Sequence, residues 1–90
     1  MYNVIKLNKG GVKLKKYNLQ VIIEQDEDGV YVAECPVLQG CYAQGETFEE
    51  AIENIKDVIT MCIEELKGRK KKISLKYPEV IGIKSLEVAV

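Results

Sequence analysis

Histidine and tryptophan are absent from the 90 residues, phenylalanine occurs once and proline twice. Without histidine the chain lacks the commonest general base near neutral pH and the commonest metal ligand. No run of 18 apolar residues occurs, so no transmembrane helix is expected. Met1-Tyr2-Asn3-Val4 is not followed by the apolar stretch of a secretory signal, and the expected location is cytoplasmic. Cysteine is scarce and odd in number: Cys35, Cys41 and Cys62. An odd count argues against a disulfide scaffold, and three thiols without histidine make a poor zinc set. Reduced, buried, structural cysteines are expected, with Cys35 and Cys41 flanking a turn, and no cofactor or metal is expected.

What is present is ordinary globular material, 47% apolar and 30% charged, in one small domain. A chain of this size buries only about 60–65% of its unfolded surface, so a deep catalytic cleft is not expected and a partner or second copy would add stability. The net charge of −1 conceals strong segregation. Residues 1–16 carry five lysines and no acid; residues 17–34 carry Glu24, Asp26, Glu27, Asp28 and Glu34 and no base. Residues 35–67 carry a further net −5, and residues 68–90 a net +4. An acidic middle between basic ends disfavours nucleic acid on that surface and favours a basic partner.

The strongest element is a helix over Thr47–Lys67. Phe48, Ala51, Ile52, Ile55, Val58, Ile59, Cys62, Ile63 and Leu66 recur at steps of three and four and line one face. Thr47 and Glu50 form a capping box, Glu49 and Glu53 suit the positive helix start, and Gly68 fits the left-handed position after the end. Tyr17–Gln25 alternates as a strand, Asp28-Gly29 marks a hairpin turn, and Val30–Glu34 returns until Pro36 stops it. Cys41–Gln44 reads as a third strand and 85–90 as a last one at a sheet edge. Residues 1–16 form a basic extension or a small hairpin, ahead of a domain over 17–90. The expected fold is α+β, a β-β-β-α-β sheet with one helix on one face.

Asp26-Glu27-Asp28-Gly29-Val30-Tyr31-Val32-Ala33-Glu34-Cys35-Pro36, followed by Leu38-Gln39-Gly40-Cys41 and by Gln44-Gly45-Glu46-Thr47-Phe48-Glu49-Glu50-Ala51 with Asn54-Ile55, resembles HicB-like antitoxins. The resemblance covers Tyr17 to Leu66, with Leu86–Val90 as the last strand. It implies a partial ribonuclease-H-like fold without nuclease chemistry, and the antitoxin half of a type II toxin–antitoxin pair. The implied partner is a HicA-like toxin, a small basic ribonuclease that cleaves messenger RNA. An acidic surface suits such a partner and can stand where phosphates would bind. Longer family members carry a C-terminal DNA-binding module. The 18 residues after Lys72 are too few for one, so direct DNA binding is not expected.

The acids Asp26, Glu27, Asp28 and Glu34 are the expected partner-binding residues. Glu24, Asp26, Glu27 and Asp28 could also hold magnesium, but three of these four are consecutive in a turn and point apart, which favours a solvated turn or partner-facing patch. Arg69 to Lys72 is a basic run without interleaved aromatics; the favoured reading is a solvated linker, and an RNA- or DNA-binding surface built with the amino-terminal lysines is the alternative function. Tyr31 and Tyr42 are expected to pack in the sheet. Gly29, Gly40 and Gly45 are expected to supply positive φ at turns, with Pro36, Thr47 and Glu50 as the other conformational residues. The chain is read as a non-enzymatic homodimer or higher homo-oligomer whose exposed edge strands invite pairing.

Overall fold

In a computed structural model that describes residues 15–90, strands β1 (Ile22–Gln25), β2 (Tyr31–Glu34) and β3 (Tyr42–Gly45) precede helix α1 (Phe48–Gly68). The strands form one antiparallel sheet in sequence order, an α+β fold. The expected amino-terminal hairpin lies outside the described residues. Registers Ile23↔Ala33↔Ala43 and Ile22↔Glu34↔Tyr42 fix the two faces of the sheet, because successive side chains of a strand point to opposite sides. Ala33, Cys35, Leu38, Cys41, Ala51, Ile55 and Ile63 form the core between the sheet and the helix.

The first strand is shorter than the alternation over Tyr17–Gln25 predicts. Its partner β2 ends at Glu34, opposite Ile22, and Pro36 has no N–H to continue the ladder. The chain instead turns back on itself between the two cysteines. Leu38 N–H donates to Cys35 C=O, Cys41 N–H to Leu38 C=O and Cys35 N–H to Cys41 C=O, at 3.1, 3.3 and 3.1 Å. Gly40, at φ +73°, makes the turn, and Leu38 plugs the core below it. Residues 17–21 stay beside the helix, with Tyr17, Leu19 and Val21 packed on the core.

The helix begins as predicted at a Thr47 cap, whose Oγ1 accepts from Glu50 N–H at 3.0 Å. The Glu50 carboxylate reaches back one residue further than a capping box requires and accepts from Glu46 N–H. The other end differs. Gly68 remains helical, and the left-handed residue is Lys70, at φ +56°. Lys71 N–H donates to Leu66 C=O and Lys70 N–H to Lys67 C=O, both at 3.0 Å, the two bonds of a Schellman stop. The stop falls two residues late because the hydrogen-bond pattern, not the glycine, sets where the chain reverses.

Gly45 also differs from expectation. It does not adopt positive φ; its need is steric. A Cβ there would lie 2.6 Å from Ala51 N and 2.9 Å from the Glu50 Cβ, a separation at which backbone must move. Gly68 has open space around it. Gly45→Ala therefore loses about 2 kcal/mol or more through overpacking, whereas Gly68→Ala gains up to about 1 kcal/mol from helix propensity. Urea unfolding of the two variants checks the opposite signs.

The strand expected over 85–90 is absent from the sheet: no residue from 71 to 90 joins a ladder. After α1 the chain packs Ile73 and Leu75 against the core and reaches Val80, which is held by the Gln20 side chain. Gln20 Nε2 donates to Val80 C=O at 3.1 Å and Val80 N–H donates to Gln20 Oε1 at 2.7 Å. A side-chain amide thus takes the place of a neighbouring strand's peptide. The following residues, 81–90, join no ladder and form an exposed arm.

Candidate functional site: the open acidic face of the sheet

The helix covers one side of the sheet, the side of Ile23, Ala33 and Ala43. The other side carries Ile22, Glu24, Val32, Glu34, Tyr42 and Gln44, and among the described residues no element covers it. The register places Glu34 between Ile22 and Tyr42, and Val32 between Glu24 and Gln44. The result is a patch of two carboxylates, two β-branched side chains, one tyrosine and one glutamine. Tyr42, expected to pack in the sheet, is 56% exposed because its parity points it away from α1. Tyr31 has the opposite parity and packs edge-on against Phe48, ring centroids 6.3 Å apart.

The four acids named from sequence do not form one cluster. Asp26, Glu27 and Asp28 sit at the β1–β2 turn, while Glu34 lies at the far end of β2, roughly 10 Å from the turn at the rise of a strand. Glu24, on the open face beside Val32, links the two groups. Its alternation with Ile22 along β1 places it on the open face, apart from the turn acids with which it is grouped in sequence. Asp26 is a turn organiser. Its Oδ1 accepts from Asp28 N–H at 2.9 Å and Val30 N–H at 3.0 Å, its N–H donates to Val30 C=O, and its C=O accepts from Gly29 N–H. Gly29, at φ +86°, completes the reversal. Glu27 and Asp28 are left exposed at the tip.

Among the described residues no three His, Cys, Asp or Glu side chains are placed to hold a metal ion, and no helix is long and apolar enough to cross a membrane. The cysteines are free thiols beneath the sheet: Cys35 and Cys41 are fully buried and Cys62 half-buried. Burial pushes the Cys35 thiol up, partly opposed by the backbone N–H groups of Val37 and Leu38. Cys41 is pushed up to about 12, first by burial and then by the neighbouring thiols of Cys62 and Cys35. Neither is poised as a nucleophile.

At the end of the molecule opposite the helix start, Lys15 and Lys67 both lie over the Tyr17 ring, at 5.8 and 5.7 Å from its centroid. Lys15 of the basic amino-terminal segment and Lys67 in the last turn of α1 therefore meet at one pole.

The described residues thus form a two-layer domain with one acidic sheet face that no described element covers. A family model described as "HicB_like antitoxin of bacterial toxin-antitoxin system" matches residues 19–85. The chain belongs to this family of antitoxins. It is 49% identical over 53 residues to the UPF0150 protein ssr1258 of Synechocystis, covering 59% of this chain and 77% of that one. It is 48% identical over 63 residues to the UPF0150 protein Ta0767 of Thermoplasma acidophilum, covering 70% and 91%. Its fold is similar to the crystal structure of the N-terminal domain of the Burkholderia pseudomallei antitoxin HicB, with TM-score 0.58 and 24% identity, over 66% of this chain and 69% of that one.

Two outcomes test this anatomy. Asp26→Ala loses about 1–2 kcal/mol in urea unfolding because two turn N–H groups lose their acceptor, while Asp26→Asn, which keeps a carbonyl oxygen there, stays within about 0.5 kcal/mol of the parent. The raised thiols set an alkaline limit. In the unfolded chain a thiol ionises near 9.0, but in the fold Cys41 holds its proton to about 12. Its contribution is complete below pH 9 and is lost as pH rises between those values. Cys41→Ala flattens that alkaline fall in denaturant midpoint.

Proposed function

We propose that this chain is the antitoxin of a type II pair and neutralises a small, basic, mRNA-cleaving ribonuclease of the HicA-like class. It acts in the cytoplasm, where that toxin meets its substrate, and as a homodimer. It performs no catalytic step of its own; inhibition comes from occupying the toxin's RNA surface. The observation that carries this reading is the open sheet face, where Glu24 and Glu34 flank Ile22, Val32 and Tyr42 and adjoin the acidic turn. Carboxylates there meet a phosphate-binding surface as phosphates do, and the apolar residues between them supply buried area. Family membership supports the antitoxin role; the charge and exposure of this face support the basic partner. Asp26 serves indirectly, by holding Glu27 and Asp28 at the tip.

A second reading, nucleic-acid binding, has one observation in its favour: the convergence of Lys15 and Lys67 on Tyr17, next to the run Arg69–Lys72. A salt-dependent gel shift with RNA or DNA would support it.

The decisive experiment is co-expression and co-purification with a small, basic HicA-like ribonuclease. A stable complex that stops its RNA cleavage is expected. Glu24→Lys with Glu34→Lys raises the Kd by about ten- to a hundredfold, equivalent to about 1.4–2.8 kcal/mol, without loss of helicity. Absence of a complex, with cleavage unaffected, overturns the proposal.

A further inference from the structure

Three side chains in and beside the core carry chemistry that binding does not use. Cys35 and Cys41 extend the β2–β3 ladder one cross-strand pair beyond Glu34↔Tyr42, held by Cys35 N–H donating to Cys41 C=O at 3.1 Å. By strand parity both point to the side of Ala33 and Ala43, against α1. Cys62 meets them from the helix, about two turns beyond the buried Ile55, and packs on the same core. The Cys41 thiol is the middle one of the three. It interacts side chain to side chain with both Cys35 and Cys62, whereas Cys35 and Cys62 influence each other only at longer range. Free thiols from sheet and helix thus converge at one point.

Their accessibility differs. Cys35 and Cys41 are fully buried, and Cys62 is half-buried. A small solute arriving at the α1 surface therefore meets the Cys62 sulfur first. Burial keeps the other two thiols protonated near neutral pH, which shields them from reacting with an oxidant directly. Cys41 does not have to be acidic to react with a neighbour. Once Cys62 is oxidised, Cys41 faces an electrophilic sulfur already in contact, and that proximity offsets the lack of a free thiolate.

We propose that Cys62 and Cys41 form a peroxide-responsive dithiol: Cys62 is the site of oxidation, Cys41 is the resolving thiol, and the disulfide they form ties α1 to the start of β3. The oxidant is hydrogen peroxide. The Cys62 sulfur attacks one peroxide oxygen; an S–O bond forms, the O–O bond breaks, and hydroxide departs as water with the thiol's proton. Sulfur is oxidised to a sulfenic acid and peroxide is reduced. The Cys41 sulfur then attacks the Cys62 sulfur; an S–S bond forms, the S–O bond breaks, and hydroxide departs as a second water with the Cys41 proton. Two thiols and one peroxide give one disulfide and two waters. A dithiol reductant reverses the bond by exchange.

The bond closes a loop that contains all of β3 and most of α1. It lies on the covered side of the sheet, so the side chains of the open acidic face stay as they are. A reversible bond of this kind suits a reducing compartment, where disulfides are transient. The inference does not depend on what the acidic face binds.

The test treats the full, folded, reduced chain with hydrogen peroxide. Titratable thiols are expected to fall from three to one. The mass is expected to drop by two hydrogens, with no oxygen gained and no second chain attached. Tm rises by on the order of 10 °C and returns on adding dithiothreitol. Tandem mass spectrometry of the digested parent joins Cys41 to Cys62, an assignment that needs no variant. Cys62→Ala abolishes the bond and Cys35→Ala leaves it. A folded chain that keeps all three thiols overturns the proposal. So does a Cys62 that advances to sulfinic acid without a disulfide, a bond between two chains, or a bond that includes Cys35. A disulfide that leaves Tm unchanged or lower overturns it, as does one that forms equally fast in urea, since the fold then contributes nothing to the pairing.

Discussion

Everything in this fold depends on how closely α1 can approach the end of β3. Gly45 has no Cβ because the first turn of the helix occupies that space. Only one residue, Glu46, separates Gly45 from the Thr47 cap, so strand and helix are joined almost without a loop. The helix is thereby aimed back across the sheet, and small residues, Ala33 and Ala51 among them, meet at the contact. A close approach through small residues leaves little core volume, and two of the fully buried side chains are cysteines, Cys35 and Cys41. Their thiols tolerate that place as neutral hydrophobes.

Among the described residues three strands cover most, but not all, of the apolar face of this helix. The sheet covers its Ala51, Ile55 and Ile63 flank, while Ile52 remains outside. Among the described residues the sheet stops at three strands, and Ile81, Ile83, Leu86 and Val88 of the arm stay exposed. Small domains have little margin with which to tolerate such exposure. The Gln20 clamp matters here because it fixes where the arm departs.

Much of this was legible in the residues. The helix was marked by nine apolar positions at helical spacing and by a Thr47 cap, both local signals that packing reinforces. The hairpin followed from Asp28-Gly29, and the chain reverses there. Other features depend on three-dimensional proximity and leave no local trace. The steric role of Gly45 is set by residues five and six positions away in a helix. The late helix stop at Lys70 is a hydrogen-bond outcome that Gly68 only mimics in sequence. The alternation over 85–90 predicted a strand, yet alternation says only that a segment suits a sheet, not whose sheet. For the acidic surface, the charge was evident and its arrangement was not: consecutive acids looked like one cluster, whereas strand parity separates Glu24 and Glu34 from the turn and assigns Asp26 to backbone support.

The parity of the three strands divides labour between neighbouring residues. Positions 23, 33 and 43 answer to the helix, and positions 22, 24, 32, 34, 42 and 44 answer to whatever lies outside. Because each outward residue is flanked in the chain by inward ones, it can change identity without altering the core beneath. A lineage of such domains can therefore re-key its outer face to a new partner one alternate residue at a time, while its own folding stability stays where it was.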